Sequence, residues 1–335
     1  MNTQKLIELN INMDPVRVEF ELTEQCNLLC KFCYNSQRPV ASNKVHEILE
    51  KISRENVLEI VLTGGEPLLH PEFHNIFIHS SALFQKIMVQ TNATLISAEI
   101  AGLFKEYGIH SVNVSLHGSK TPHEELTGVP GSYNSAVVAI KRFLDLGVNT
   151  ASNFVMTSQN ISFLPETIDM LYDLGLREMT LTRFTPAGLG AKNKELTLSQ
   201  EQLIGALYAA DMKMKKHPDF SIILTNSLPY CVLPHDLSHF CSYCHFGGSR
   251  FYIDVNGNVL MWGMSRISIG NILENSFREI KAQSDNYKSH IAGNDVPEAC
   301  VKCEQFGVCR GGCRAAAYAH TNNVCGSDPY MVRNT

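Results

Sequence analysis

The sequence predicts an α/β fold: a parallel sheet flanked by helices through about residue 225, then a small cysteine-rich α+β segment built on a β-hairpin. Three observations predict it. Six apolar strand segments alternate with amphipathic helical stretches, glycines stand where those helices should end, and the rest of the chain pairs a hairpin signature with a dense cysteine run. Val16, Val18, Phe20 and Leu22 alternate with Arg17, Glu19 and Glu21, the period of a half-buried strand. Val45, Ile48, Leu49 and Ile52 follow at helical spacing. Further strands are expected at 57–62, 87–90, 111–115, 153–156 and 179–182, with helices including 97–107 and 135–146 between them. Gly108, Gly147 and Gly175 sit at helix ends, where a left-handed residue closes the last turn. RFYIDVNGNVLMW reads as two strands joined by Asn256 and Gly257 in a type I′ turn.

A chain of 335 residues, 44% of them hydrophobic, can bury a large core and is expected to divide into domains at 1–225 and 226–335. MNTQKLIELNIN lacks the apolar core of a targeting segment, and nowhere do about 18 apolar residues run together. A net charge of −5, mixed along the chain, gives no nucleic-acid or membrane surface. A cytoplasmic protein is expected. Eleven cysteines without an export signal then point to thiolate ligands in a reducing compartment, not to disulfides.

The chemistry begins at Cys26, Cys30 and Cys33, in the run CNLLCKFC behind the first strand. Three closely spaced thiolates can hold three corners of an iron–sulfur cubane and leave its fourth iron open to a small molecule. A structural zinc site is the alternative, but it needs a fourth protein ligand that no nearby His or Cys supplies. Gly64, Gly65, Glu66 and Pro67 follow the apolar run VLEIVLT about 30 residues later.

CNLLCKFC and GGEP together resemble the motifs of radical S-adenosylmethionine (SAM) enzymes. The resemblance implies a partial (β/α)6 TIM-like barrel with active groups at the C-terminal ends of its strands. It implies a 4Fe–4S cluster on Cys26, Cys30 and Cys33, whose open iron chelates the methionyl amino and carboxylate groups of SAM. Gly64 and Gly65 would let the backbone approach that cofactor, and Glu66 would accept from its ammonium. Asn92, Ser115, Asn153 and Arg183 are polar residues at expected strand ends. By resemblance Ser115 and Arg183 would hold the methionyl or ribose part; turn capping is the plainer role for any of the four. Phe32 would shield cluster and adenine. His117 stands where related enzymes often carry Asp, and a mere loop role is equally open.

Cys300, Cys303, Cys309, Cys313 and Cys325 are spaced C-x2-C-x5-C-x3-C-x11-C after the hairpin, and Cys244 precedes it. These resemble the SPASM extension of radical SAM enzymes, which carries one or two auxiliary 4Fe–4S clusters; five cysteines exceed what a zinc ribbon needs. By that pattern Cys300, Cys303, Cys309 and Cys325 would ligate the distal cluster, and Cys313 would join Cys244 at the proximal one. The pattern expects a further cysteine where this chain has Trp262. Cys241 or Cys231 could replace it, Cys241 being favoured by its C-x2-C spacing to Cys244. Trp262 would wall the substrate cavity or pack in the core.

The resemblance implies reductive cleavage of SAM to a 5′-deoxyadenosyl radical, which abstracts a hydrogen atom from substrate, the cofactors supplying the difficult chemistry. Auxiliary clusters imply an outlet for an electron, hence net oxidation. A peptide or protein substrate is expected, modified or crosslinked, with a porphyrin-type or sugar precursor as the alternative and a non-catalytic electron carrier as the remaining one. Expected partners are an external donor such as flavodoxin or ferredoxin and a separate leader-peptide-binding protein, since about two dozen residues precede Cys26.

Overall fold

The computed structural model describes residues 3–36, 38–242 and 247–331. Seven parallel strands, β1 (Arg17–Thr23), β2 (Glu59–Gly64), β3 (Lys86–Thr91), β4 (Ser111–Ser115), β5 (Thr150–Met156), β6 (Glu178–Arg183) and β7 (Ser221–Thr225), pair in chain order. After α1 (Thr3–Asn12), the helices between the strands are α2 (Val45–Ser53), α3 (Phe73–Leu83), α4 (Ala98–Glu106), α5 (Lys120–Thr127), α6 (Ser132–Asp145), α7 (Leu164–Leu174) and α8 (Gln200–Lys216). The result is a partial TIM-like barrel, open because β7 ends the sheet unpaired on one side. It has one parallel strand more than the six expected. Gly108, Gly147 and Gly175 adopt φ of +67°, +66° and +106° and close α4, α6 and α7 as anticipated.

The hairpin extends the same sheet. β8 (Arg250–Ile253) pairs in parallel with β1, and β9 (Asn258–Leu260) and β10 (Ser268–Asn271) follow antiparallel, so the expected boundary at residue 225 does not divide the sheet. The expected type I′ turn is absent. Gly257 alone is left-handed, because the Asp254 carboxylate accepts from the Asn256 and Asn258 amides at 2.9 and 3.0 Å and closes a four-residue turn. The chain continues through α9 (Phe277–Gln283), α10 (Asp285–Ala292), α11 (Glu298–Val301), α12 (Phe306–Cys309) and α13 (Arg314–Thr321), with α9 and α10 packed on α1. Among the described residues no helix is long and apolar enough to cross a membrane.

Strand periodicity decides which side chains meet the helices. On β1, Val18, Phe20 and Leu22 are fully buried against the helical layer, where α2 lays down Val45, Ile48, Leu49 and Ile52. Phe77, Phe104 and Phe143 continue that layer, with ring centroids 4.6 and 5.9 Å apart. The opposite face of the strands is mixed: Gln90, Asn113, Ser115, Asn153, Thr180, Thr182 and Thr225 lie half-buried on it, among Val61, Met88 and Val155. Each large core side chain contributes about 1.5–3 kcal/mol by leaving water. Phe104 stands between two other rings, so Phe104→Ala should lower stability by about 3–5 kcal/mol. Urea unfolding followed by far-UV circular dichroism measures it.

Candidate active site at the strand ends

Two loops meet at the C-terminal end of β1 and β2. The Gly65 amide donates to the Thr23 carbonyl and the Glu66 amide to the Gln25 carbonyl, both at 2.7 Å. A Cβ on Gly65 would stand 2.1 Å from the Gln25 oxygen, and one on Gly64 2.3 Å from the Thr23 oxygen. The two glycines therefore serve the approach of one protein backbone to another, and the need for them lies in the cysteine loop itself. Glu66 is fully buried. Its carboxylate accepts from Thr91 Oγ1 and the Asn92 amide, each at 2.8 Å, and from the Leu68 amide at 3.2 Å. Three donors leave one acceptor position on Oε2 for a further donor.

That arrangement places β3 against the cysteine loop. Asn92 donates to Asn27 Oδ1 at 2.9 Å and lies 3.8 Å from Cys26 Sγ, which the Leu28 amide also approaches at 3.5 Å. Cys30 faces Cys33 and Cys26 closely enough for each thiolate to raise its pKa, and Cys33 donates its amide to the Cys30 carbonyl. Burial pushes Cys26 up to about 11 and Cys30 well above the usual thiol value. The thiols are thus neutral until a metal ionises them, which fits ligands and not free nucleophiles. Among the described residues no group of three His, Cys, Asp or Glu is placed to hold a metal ion.

The loop is clamped from outside. Leu29 and Lys31 donate to Thr127 and Leu126, the Gly190 amide donates to the Cys33 carbonyl, and Asn193 donates to the Lys31 carbonyl. Phe32 packs with Leu126, Phe184 and Leu196 and meets His117 edge-on at 4.6 Å. Burial and the neighbouring His123 keep His117 neutral, and its Nδ1 accepts from the Val155 amide, so it is a fixed part of the β4–β5 end.

Ser115 and Asn153 are register partners on β4 and β5, both half-buried on the polar face. Asn153 accepts from Thr182, whose hydroxyl also meets Thr225 at 2.7 Å. Arg183 takes a different course from the one the sequence implied. It is 1% exposed and bonded through both terminal nitrogens to Asp328, with Tyr330 against its face; only Nε lacks a partner among the described residues. Sequence reasoning overlooked two further carboxylates here. Glu21 receives Arg266 at 2.7 and 3.1 Å and Asn35 at 2.6 Å, and Glu24 receives Arg38 and Ser36. Their place on and just after an amphipathic strand, beside the triplet, was the available signal.

In the extension, Trp262 is 2% exposed, sits in the main core and meets His290 edge-on at 5.4 Å. Of its two anticipated places, the core is the observed one. Cys244 lies outside the described residues. Cys313 is buried beside Arg183. Cys303 and Cys325 are exposed, and Cys325 Sγ lies 3.6 Å from the Asn294 carbonyl. Burial, with the neighbouring thiols Cys309 and Cys231, raises the Cys241 thiol, and burial raises that of Cys300.

The Glu66 environment yields a signed pH prediction. Burial lifts its carboxyl from 4.5 to about 7 against the opposing hydrogen bonds. The folded state then holds a proton that the unfolded chain has released, so stability from neutral Glu66 is lost as pH rises from 4.5 through about 7. Relative to Glu66→Gln, the SAM-free wild type should lose stability between about pH 5 and about pH 8, measured by urea midpoints. A difference that does not change with pH would contradict the buried carboxyl.

Comparison with known proteins identifies the family. Residues 20–174 match the Radical SAM superfamily, and residues 244–304 match the SPASM iron–sulfur cluster-binding domain. An AdoMet-dependent heme synthase of Methanosarcina barkeri is 23% identical over 95% of this chain and 96% of its own. The mycofactocin maturase MftC of Mycolicibacterium smegmatis is 25% identical over 95% and 83%. The crystal structure of Streptococcus suis SuiB bound to S-adenosylmethionine superposes with a TM-score of 0.79 at 19% identity, covering 98% of this chain and 79% of that one. The chain therefore belongs to the radical SAM superfamily and carries a SPASM domain, which makes it a radical SAM enzyme.

Proposed function

We propose that this enzyme abstracts hydrogen from a peptide or protein and oxidises it, forming a crosslink or a modified side chain. The observation that carries this reading is the set of neutral polar side chains on the sheet face away from the helices. Toward the strand ends it presents amides and hydroxyls from Gln90, Asn113, Ser115, Asn153, Thr182 and Thr225, the neutral donors and acceptors that a peptide backbone matches. The arginines at this end are already engaged: Arg38 with Glu24, Arg183 with Asp328 and Arg266 with Glu21. A carboxylated porphyrin requires unengaged cations, because carboxylates buried without them are strongly disfavoured.

Cys26, Cys30 and Cys33 would hold the 4Fe–4S cluster, and SAM bound there supplies the radical. The remaining acceptor position on Glu66 suits the SAM ammonium, the Asn92 amide steadies the Cys26 sulfur, and Phe32 shields the site from water. Ser115 and Asn153 stand where SAM or substrate would lie. Arg183 acts through Asp328, fixing the C-terminal segment over β6, and is assigned here as a positioning residue. One or two auxiliary clusters in the extension would take the electron left on substrate. A flavodoxin or ferredoxin is the expected donor, and a leader-peptide-binding protein the expected accessory partner.

The second reading is a porphyrin-type substrate, favoured by the near-complete mutual coverage with the M. barkeri heme synthase. Coexpression with a candidate peptide encoded beside this gene separates the two. The expected product is a peptide lighter by whole hydrogens, and its formation should cease in the Cys26→Ala/Cys30→Ala/Cys33→Ala variant, which should also lose SAM cleavage while keeping auxiliary iron. Unmodified peptide together with conversion of a carboxylated porphyrin would support the second reading.

A further inference from the structure

The two ends of the sheet are treated differently. At one end β10 is four residues long, its register slips between Ser268 and Gly270, and the Ser268 hydroxyl bonds to the amide and carbonyl of Gly270 at 3.4 and 3.2 Å. Short length and broken register are devices by which a free edge avoids pairing with another chain. β7, with the sequence SIILT, has neither. Its pairing with β6 runs unbroken from Ser221 to Thr225, and it carries no lysine, no proline and no charge.

The backbone groups of β7 show what this edge offers. The Ser221 amide donates to the Arg177 carbonyl at 2.8 Å, so Ser221, Ile223 and Thr225 turn their backbone groups toward β6, and Ile222 and Leu224 turn theirs away. Among the described residues nothing bonds to the outward amide or carbonyl of Ile222 or Leu224. Their side chains are buried in the core on the α8 side. Ile223, on the other face and in register with Thr180, is 47% exposed. Two free amides and two free carbonyls, repeating at every second residue, are the pattern that an extended peptide backbone completes when it joins a sheet.

The edge leads to the candidate active site. At the C-terminal end of β7 the Thr225 hydroxyl meets that of Thr182 at 2.7 Å, and Thr182 donates to Asn153 Oδ1 at 2.7 Å. Strands lie about 4.8 Å apart, so a chain laid along β7 would run about 14 Å from β5, which a few extended residues of about 3.3 Å each can span. We propose that the free edge of β7 docks the peptide substrate as an added strand, held by the outward backbone groups of Ile222 and Leu224, with an apolar substrate side chain covering Ile223. Affinity then comes largely from the substrate backbone, and the side chain over Ile223 sets the register. This inference rests on the peptide reading above and names where that peptide is held.

Residue-resolved amide hydrogen exchange tests it, on the full chain reconstituted anaerobically, with SAM withheld and the peptide encoded beside this gene as the probe. Without peptide, the Ile222 and Leu224 amides should exchange at least about tenfold faster than those of Ile223 and Thr225, and saturating peptide should slow them about tenfold. Unchanged exchange at Ile222 and Leu224 with a peptide that the enzyme modifies overturns the proposal, as does slow exchange before peptide is added. Slowing that follows protein concentration instead of peptide assigns the edge to a second copy of this chain and overturns it as well. Ile223→Ser, at an exposed position, should raise the KM for the peptide several-fold while kcat and peptide-free SAM cleavage stay unchanged. An unchanged KM overturns the assigned register contact. Synthetic copies of the peptide N-methylated one residue at a time should bind weakly at alternate residues of one segment, and sensitivity without that alternation overturns strand addition. Conversion of a carboxylated porphyrin with no peptide modified would instead overturn the peptide reading itself.

Discussion

Everything at the strand ends depends on the contact between the backbones of residues 23–25 and 64–66. Two short hydrogen bonds hold it, and side chains at Gly64 or Gly65 would collide with carbonyl oxygens. Because β1 and β2 are adjacent parallel strands, their ends already lie side by side, and the glycines let the loops close the remaining gap. The consequence is chemical. Glu66 is carried beneath the cysteine loop, fixed by three donors, while Asn92 beside it reaches the Cys26 sulfur. A triplet otherwise lying on a surface loop is thereby given one geometry.

The extension is joined to that geometry by charge. Arg266 crosses from the segment after the hairpin to Glu21 on β1, 245 residues earlier, and Arg183 on β6 is bonded to Asp328, 145 residues later. Both carboxylates are fully buried. Breaking a buried pair leaves an unsatisfied charge at a cost of about 3–5 kcal/mol, so the pairs fix the extension in position as well as holding it. With β8 continuing the sheet beyond β1, the strand ends and the cysteine-rich segment form one continuous body. An electron leaving substrate would need such a fixed distance.

Much of this was legible in the sequence because it is local. Alternation located β1 to within a residue, Ser111–Ser115 matched β4, and the glycines marked the ends of α4, α6 and α7. The C-x3-C-x2-C and GGEP motifs carry the family resemblance by themselves. What periodicity could not reveal was pairing across the chain: β8 joining β1, and the partners of Arg183 and Arg266. The hairpin turn failed for a related reason. Asn-Gly favours type I′ on its own, but the Asp254 side chain capped a longer turn.

Isotope transfer tests hydrogen abstraction from a peptide most directly. Reduced enzyme is incubated with SAM and a substrate peptide deuterated at its side-chain carbons, and the 5′-deoxyadenosine formed is examined by mass spectrometry. Deuterium should appear in 5′-deoxyadenosine, in step with loss of hydrogen from the peptide. Unlabelled 5′-deoxyadenosine with every such peptide, together with label arriving from a deuterated porphyrin, would contradict it.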